Sequence, residues 1–221
     1  CDQITLSPHT IGALTNISHK LLMQSTPYAE ALVRDDIAKV LAIYSDKLAL
    51  TGSGSAPYPT GILNTTGIGS VSWDSAATPS FAKIVAMETS LGTANALRGR
   101  LAYAANASFV GTLKTTLKVL TGQTTSVVPV PILNPVPGKE EDSFVAGEMN
   151  GFMTYRSNQL PASTVIFGNW QELVIAMWGG FDLLVDPYTN AASGGVRVRA
   201  LMDVDFGIRH AASFAKAINP A

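Results

Sequence analysis

The most regular pattern in this chain is an alternation of apolar and polar positions near its C-terminal end. Apolar residues fill every second position from 196 to 208: Val196, Val198, Ala200, Met202, Val204, Phe206 and Ile208. Successive side chains of a strand point to opposite faces, so this period of two predicts one long strand with a buried face. At about 3.3 Å per residue the strand is about 45 Å long, which favours an elongated unit.

A second pattern predicts a long helix from about residue 27 to residue 50. Its apolar residues recur at intervals of three and four and form one stripe: Val33, Ile37, Val40, Leu41, Tyr44 and Leu48. Thr26 can cap the helix, Pro27 suits its first position, and Gly52 ends it. Because a helix of about 34 Å is comparable in length to the terminal strand, we expect their apolar faces to pack together.

The rest of the pattern predicts shorter elements of both kinds, and therefore an α+β fold. Strands are expected at 3–7, 101–105, 152–156, 164–167 and 173–178, and helices at 18–23, at 78–92 and after Asn106. Between 121 and 147 the periodicity disappears, and four prolines are followed by a charged run at 139–142. Proline removes ladder donors and clustered charge resists burial, so we expect 122–147 to be the most mobile internal segment.

A glycine-rich loop at 52–61 follows the long helix. Gly52, Gly54 and Gly61 invite comparison with a phosphate-binding loop. That loop needs Gly-Lys-Ser/Thr leading into a helix, whereas Gly61 is followed by Ile-Leu and then Asn64. We therefore interpret the three glycines and Asn64 as residues of a structural hinge or an interface.

Composition narrows the class of protein. The chain has 221 residues, 47% of them hydrophobic and only 14% charged, against an ordinary charged share of about a quarter. A surface so poor in charge is expected to be covered by copies of the chain or by partners. The net charge of -1 lacks the basic stripe of a dedicated nucleic-acid binder. The short apolar runs predict no membrane span.

The chain carries no recognisable catalytic or cofactor motif. Its single cysteine, Cys1, and its three dispersed histidines do not have metal-ligand spacing, so no metal or cofactor is expected. The acidic run at 140–142 is typical of a solvated loop tip rather than of a carboxylate pair held in a pocket. Trp73, Trp170 and Trp178 are interpreted as core or interface anchors, with a stacking platform as the alternative.

Charged residues share the polar face of the terminal strand. Arg197, Arg199 and Arg209 alternate there with Asp203 and Asp205. One interpretation is an ion-pair ladder within or between subunits, and the other is contact with enclosed DNA.

Four segments, in this order, resemble the major capsid proteins of tailed bacteriophages, which have the Hong Kong 97-like fold. They are residues 11–22 leading into the long helix, the loop at 52–64, the strand end at 165–170, and residues 180–187 leading into 196–210. The resemblance covers nearly the whole chain. It implies a long spine helix, long antiparallel strands and a mixed α/β axial domain.

The resemblance also implies a domain organisation. Residues 11–63 and 195–221 correspond to the peripheral domain, with the spine helix at about 27–50, and 70–190 correspond to the axial domain. Residues 1–10 resemble the returning strand of an extended loop that overlaps a neighbouring subunit. The family's N-terminal arm and outgoing loop strand have no counterpart in this sequence, so the chain alone is expected to be monomeric or weakly associated.

The function implied is structural and not enzymatic. Copies would form hexamers and pentamers of an icosahedral head that encloses double-stranded DNA, held by weak non-specific contact. The expected location is the virion, after assembly in the bacterial cytoplasm with scaffold, protease and portal proteins. One alternative is an encapsulin-type shell around enzyme cargo, and a more distant one is a hydrolase with an unrecognised site.

Overall fold

A computed structural model describes residues 3–24, 28–73, 78–119, 130–138, 144–190, 192 and 194–219. These residues form two compact units. We call Gln3–Gly61 with Ile175–Gly207 the helix unit, because it contains the long helix. We call Ile62–Val174 with the chain from Ile208 onward the sheet unit, because it contains the larger sheet.

The helix unit is built from a three-stranded sheet and the long helix. Its helices are α1 His19–Gln24 and α2 Tyr28–Thr51, and its strands are β1 His9–Ile17, β8 Leu173–Asp186 and β9 Val196–Ile208. The strand order is β1-β9-β8, with β1 antiparallel to β9. Strand β9 is therefore central, and β1 and β8 form the two edges of the sheet.

The core of the helix unit lies between α2 and one face of its sheet. Ile37, Leu41 and Leu48 of α2 are buried there, and the sheet contributes Ile11, Ile17, Val198, Ala200, Val204 and Phe206. Tyr44 is half-buried against the same cluster. Burial of one such aliphatic side chain contributes about 1.5–3 kcal/mol, so this contact accounts for much of the unit's stability. The predicted packing of helix on strand is observed.

The sheet unit contains a mixed seven-stranded sheet with the order β2-β10-β7-β3-β6-β5-β4. Its strands are β2 Gly69–Ser72, β3 Leu101–Ala105, β4 Leu133–Asn134, β5 Val145–Met149, β6 Phe152–Arg156, β7 Val165–Asn169 and β10 Phe214–Ile218. Helices α3 Phe81–Thr93 and α4 Ala107–Thr115 supply further core residues. At its centre the rings of Tyr103 and Phe167 stack with centroids 4.3 Å apart.

Most of the predicted elements are present, with small shifts at their ends. The long helix begins at Tyr28 and ends at Thr51, while its predicted cap, Thr26, and Pro27 lie outside the described residues. Helix α3 begins at Phe81, later than predicted. Asn106 caps α4 as predicted, its side-chain oxygen accepting from the Ser108 amide at 2.9 Å.

The first predicted strand was wrong. Residues 3–7 form no strand, and β1 occupies His9–Ile17 instead. The apolar residues Ile11, Leu14 and Ile17 are spaced as in a helix, but their burial is that of a strand. Ile11 and Ile17 lie on the buried face, whereas Leu14 lies on the other face and is exposed. Pairing with the long edge of β9 decided the outcome, because a strand there gains a full ladder of hydrogen bonds.

The segment 121–147 is partly buried and paired where the structure describes it, and its expected mobility stays a prediction. Residues 120–129 and 139–143, which include the acidic run, lie outside the described residues. Ile132 and Leu133 are buried, and β4 pairs with β5, which begins at Val145. Gly147 at φ 151° lies at an irregularity of this pairing, and short irregular strands of this kind have too little periodicity to be recognised.

The two units divide the chain at places other than those expected. Residues 175–190 belong to the helix unit, although they were grouped with 70–190. Residues 208–219, grouped with 195–207, belong to the sheet unit, where β10 lies between β2 and β7. Strand β10 has only five residues, and it is recognisable only by its two neighbours, both distant in sequence.

Alanine at Gly61 should destabilise the helix unit. A Cβ there would lie 2.7 Å from the Leu48 carbonyl oxygen and 2.8 Å from the Thr51 nitrogen, and rigid backbone cannot give way cheaply. We expect Gly61→Ala to lower the free energy of unfolding by about 2 kcal/mol, measured by urea denaturation.

The matched control is Gly111→Ala in α4, where a Cβ would meet nothing within 4 Å. Alanine is favoured over glycine inside a helix, so this variant should be unchanged or more stable by up to about 1 kcal/mol. If the two substitutions changed the free energy of unfolding equally, the close approach of Gly61 to the end of α2 would be contradicted.

Candidate assembly surface

The glycine loop is closed by its own backbone. The Gly52 amide donates to the Leu48 carbonyl oxygen at 2.8 Å, and the Gly54 amide donates to the Pro59 carbonyl oxygen at 3.1 Å. The Gly61 amide donates to the Gly52 carbonyl oxygen at 3.0 Å. Gly54 has φ 71°, which favours glycine. Since these three amides are used inside the loop, they are not arranged to cradle a phosphate. The loop is a compact structural turn, and Asn64, which ends a short 3-10 turn, is exposed in the sheet unit.

A run of exposed apolar residues in the helix unit follows β8 and the turn after it. We call it the β8 surface, and it consists of Ile175, Met177, Trp178, Phe181, Leu184, Val185 and Tyr188. Every residue from 177 to 182 is exposed, so both faces of the strand meet solvent there. A strand within a monomer normally buries one face. The β8 surface therefore has the character of a surface that a partner covers.

Only Trp178 of this surface was singled out from the sequence, and the structure places it on β8 with 37% of its area exposed. Trp73 and Trp170 lie in the sheet unit. Their indole nitrogens donate to the Ser163 carbonyl at 2.7 Å and to the Ala102 carbonyl at 3.0 Å. The sequence does mark residues 173–185 as an apolar strand, because Asp182 is the only charged residue among them. It does not indicate what covers that strand.

A hydrogen-bonded turn holds Tyr188 at the end of β8. Asp186 accepts from the Thr189 hydroxyl and from the Tyr188 amide at 2.8 Å. These hydrogen bonds, that of the Thr189 hydroxyl above all, lower the pKa of Asp186. Tyr188 is 84% exposed on this turn, an arrangement suited to contact with another molecule.

The three arginines do not form the predicted ladder within the described part of the chain. The Arg197 Nε donates to the Asn16 side chain at 3.1 Å, and Arg209 Nε lies 3.9 Å from Glu172. Arg199 is exposed opposite Leu14, with no ion pair among the described residues. Arg209 lies beyond the end of β9 and in the sheet unit, so the predicted set does not share one strand, and the pattern did not reveal that other groups hold the aspartates.

Both aspartates of β9 bind the N-terminal segment instead. Asp203 accepts from the Thr10 hydroxyl at 2.5 Å. Asp205 is buried and accepts from the amides of Ser7 and Phe206, each at 2.8 Å. Next to them, a Cβ on Gly207 would lie 2.9 Å from Ile4 and Leu6, so the absence of a side chain makes room for the segment. The carboxylates of β9 thus fix residues 4–10 on the sheet.

The described residues also bear on three other kinds of site. No group of three His, Cys, Asp or Glu side chains with metal-binding geometry occurs in the part of the chain that the structure describes. Among those residues no helix is long and apolar enough to cross a bilayer. A shallow depression is lined by Leu97 and by four residues of α3, namely Glu88, Thr89, Gly92 and Thr93. The hydroxyls of Thr89 and Thr93 donate to backbone carbonyls of the same helix, so neither is paired with a base.

This chain is similar in sequence and fold to known phage capsid proteins. The profile of the Phage capsid family matches residues 1–218. The major capsid protein of Halomonas phage phiHAP-1 is 32% identical over 217 residues, covering 96% of this chain. The chain spans 32% of that relative's length. The chain therefore belongs to the Phage capsid family.

Solved capsid structures show the same fold at low sequence identity. The capsid of an empty GTA particle has a TM-score of 0.76 at 19% identity, covering 100% of this chain and 75% of that chain. A Microbacterium phage Oxtober96 structure has a TM-score of 0.70 at 10% identity, covering 97% of this chain and 73% of that chain. The fold is of the Hong Kong 97-like type, as the sequence resemblance implied.

Asp205→Asn should release the N-terminal segment. The amide nitrogen introduced by this change would face the Ser7 or Phe206 amide, so one buried donor loses its acceptor. We expect a loss of about 1–3 kcal/mol in the free energy of unfolding and faster hydrogen exchange of the Ser7 amide. Asp182→Asn, an exposed change in β8, is the control. Unchanged exchange at Ser7 would argue against this anchoring.

The turn at Asp186 should be sensitive to acid. A carboxyl whose folded pKa is lowered stabilises the fold above its unfolded pKa, and the contribution is lost as pH falls through the folded pKa. NMR should show the Tyr188 and Thr189 amide signals titrating at a pH below the ordinary aspartate range. Thr189→Val should raise that midpoint, and Asp186→Asn should abolish the transition. If Thr189→Val left the titration midpoint unchanged, the Thr189 hydroxyl would not be the cause of the lowered pKa of Asp186.

Proposed function

We propose that this chain is the folded subunit of an icosahedral phage head, in which copies associate as hexamers and pentamers. Membership of the Phage capsid family supports this role. The observation that carries it is the β8 surface, because a subunit that stays alone would expose those apolar side chains to water. The low charged fraction of 14% agrees with a surface that is largely covered after assembly.

The proposal gives each unit a place in the shell. The helix unit is the peripheral domain with α2 as its spine helix, and the sheet unit is the axial domain that meets its symmetry mates. Residues 1–10 belong to the extended loop that overlaps a neighbour. Gly52, Gly54 and Gly61 serve that packing by holding the chain in a compact turn where α2 ends.

Double-stranded DNA would be held inside the shell by weak, non-specific contact. Arg199 supports this, since it is exposed on the sheet face opposite α2 and forms no ion pair with a described residue. The near-neutral net charge of -1 suits an inner surface that does not bind the genome tightly. Scaffold, protease and portal proteins would act with the chain during assembly in the bacterial cytoplasm, and the virion is its final location.

Electron microscopy of the full-length gene product that contains these residues tests the proposal. The micrographs should show closed particles, and light scattering should show that these particles are uniform in size. A product that remains monomeric at every concentration, with its fold intact by circular dichroism, would exclude the shell function. The contents of particles purified from infected cells separate the two shell hypotheses, since DNA supports a phage head and a single co-purifying enzyme supports an encapsulin-type compartment.

A further inference from the structure

We propose that β8 pairs in the assembled shell with a strand from a second copy of the chain, which adds a fourth strand to the sheet β1-β9-β8. This inference rests on the proposed function and names the contact through which copies meet. Strand β8 has a neighbour on one side only, namely β9, within the described residues. Its other side therefore presents backbone donors and acceptors that no strand of its own unit satisfies.

The free edge of β8 has few of the features that normally prevent pairing, although Gly179, at φ 73°, interrupts the regular strand conformation near its middle. Natural edge strands are protected by proline, by lysine, by bulges or by being short. Strand β8 has 14 residues, about 46 Å at 3.3 Å each, and contains neither proline nor lysine. Near its middle, a Cβ on Gly179 or Gly180 would meet nothing within 4 Å. The backbone of a second molecule can therefore approach closely at the centre of this edge.

The charge around β8 selects the kind of partner. No lysine or arginine occurs from Glu172 to Val196, whereas Glu172, Asp182 and Asp186 are acidic. A nucleic acid or an anionic membrane would be repelled, because both need basic residues at the contact. A protein strand with apolar side chains and few acidic groups fits this surface. The chain itself supplies such strands, and in a shell its copies are its most abundant neighbours.

The size of the β8 surface agrees with a subunit contact. Its seven apolar residues are each between 37% and 84% exposed, so a contact along the whole strand has apolar area to bury. These side chains lie on both faces of the strand. A neighbouring strand in the same sheet would contact both sets at once, since cross-strand pairs form on each face. Packing on a single face would leave half of them in water.

Hydrogen exchange distinguishes strand pairing from simple burial of side chains. Amides along an edge strand point alternately toward the neighbouring strand and away from it. In the dissociated full-length protein, we expect only the β8 amides that face β9 to exchange slowly. For the particles, exchange is carried out on intact shells, which are then dissolved in a quenching solvent and measured by NMR. In these particles both the inward-facing and the outward-facing amides of β8 should exchange slowly. Particles whose outward β8 amides stay fast would overturn this inference and leave the proposed function standing.

Substitution of one exposed side chain gives an independent measurement. Phe181→Lys places a charge in the proposed contact, and Val40→Lys is the control, since Val40 is 56% exposed on α2 and outside the proposed contact. We expect Phe181→Lys to raise the concentration for half-assembly at least about tenfold, with the control unchanged. Circular dichroism would verify that both variants fold. Wild-type assembly of Phe181→Lys would overturn the inference, whereas failure of the wild type to associate would overturn the proposed function as well.

Discussion

The contact between α2 and the apolar face of β9 is the interaction on which the helix unit depends. Both elements are long and straight, so neither can bury its apolar residues by folding back on itself. Together they enclose Ile37, Leu41, Val198 and Val204 over most of their length. This pairing fixes one face of the sheet against α2 and leaves the opposite face and both sheet edges to other contacts.

The same contact explains why the apolar surface lies where it does. A single helix covers a strip of sheet about 10 Å wide, which is about two strands. Strands β1 and β9 fill that width, and β8, the third strand, extends beyond it. Leu183 still reaches the core, but Trp178 and Phe181 do not. A plate with one helix and three strands thus exposes an apolar margin, which is costly for a lone subunit and useful for one that associates.

The sequence was sufficient for elements whose pattern is long and local. Period two over β9 and the apolar stripe of α2 were both recognisable, because each follows from the geometry of one element alone. Val40 shows the limit of the stripe, since it was counted within it but is exposed in the structure. A helix of this length has a periodicity clear enough to predict its existence, but not enough to decide every residue at the margin of its buried face.

What the sequence did not indicate depends on contacts between distant segments. Strand β10 exists because β2 and β7 lie on either side of it, and β1 is a strand because β9 offers it an edge. Gly52 and Gly61 were recognised as a turn, but the close approach of their backbones requires the three-dimensional path of the loop. The β8 surface was missed for a related reason, because an apolar strand looks the same in sequence whether its own unit or a neighbour covers it.

Asp205 ties the N-terminal segment to the central strand of the helix unit's sheet. Its carboxylate has left water, and two backbone amides replace the lost hydration. The amide of Ser7 is one of them, so the position of the N-terminal segment is tied to a residue in the centre of the sheet. Any movement of this segment away from the sheet must first break the hydrogen bond from the Ser7 amide to the buried Asp205 carboxylate. The segment is therefore held in one arrangement until a contact of comparable strength replaces that bond.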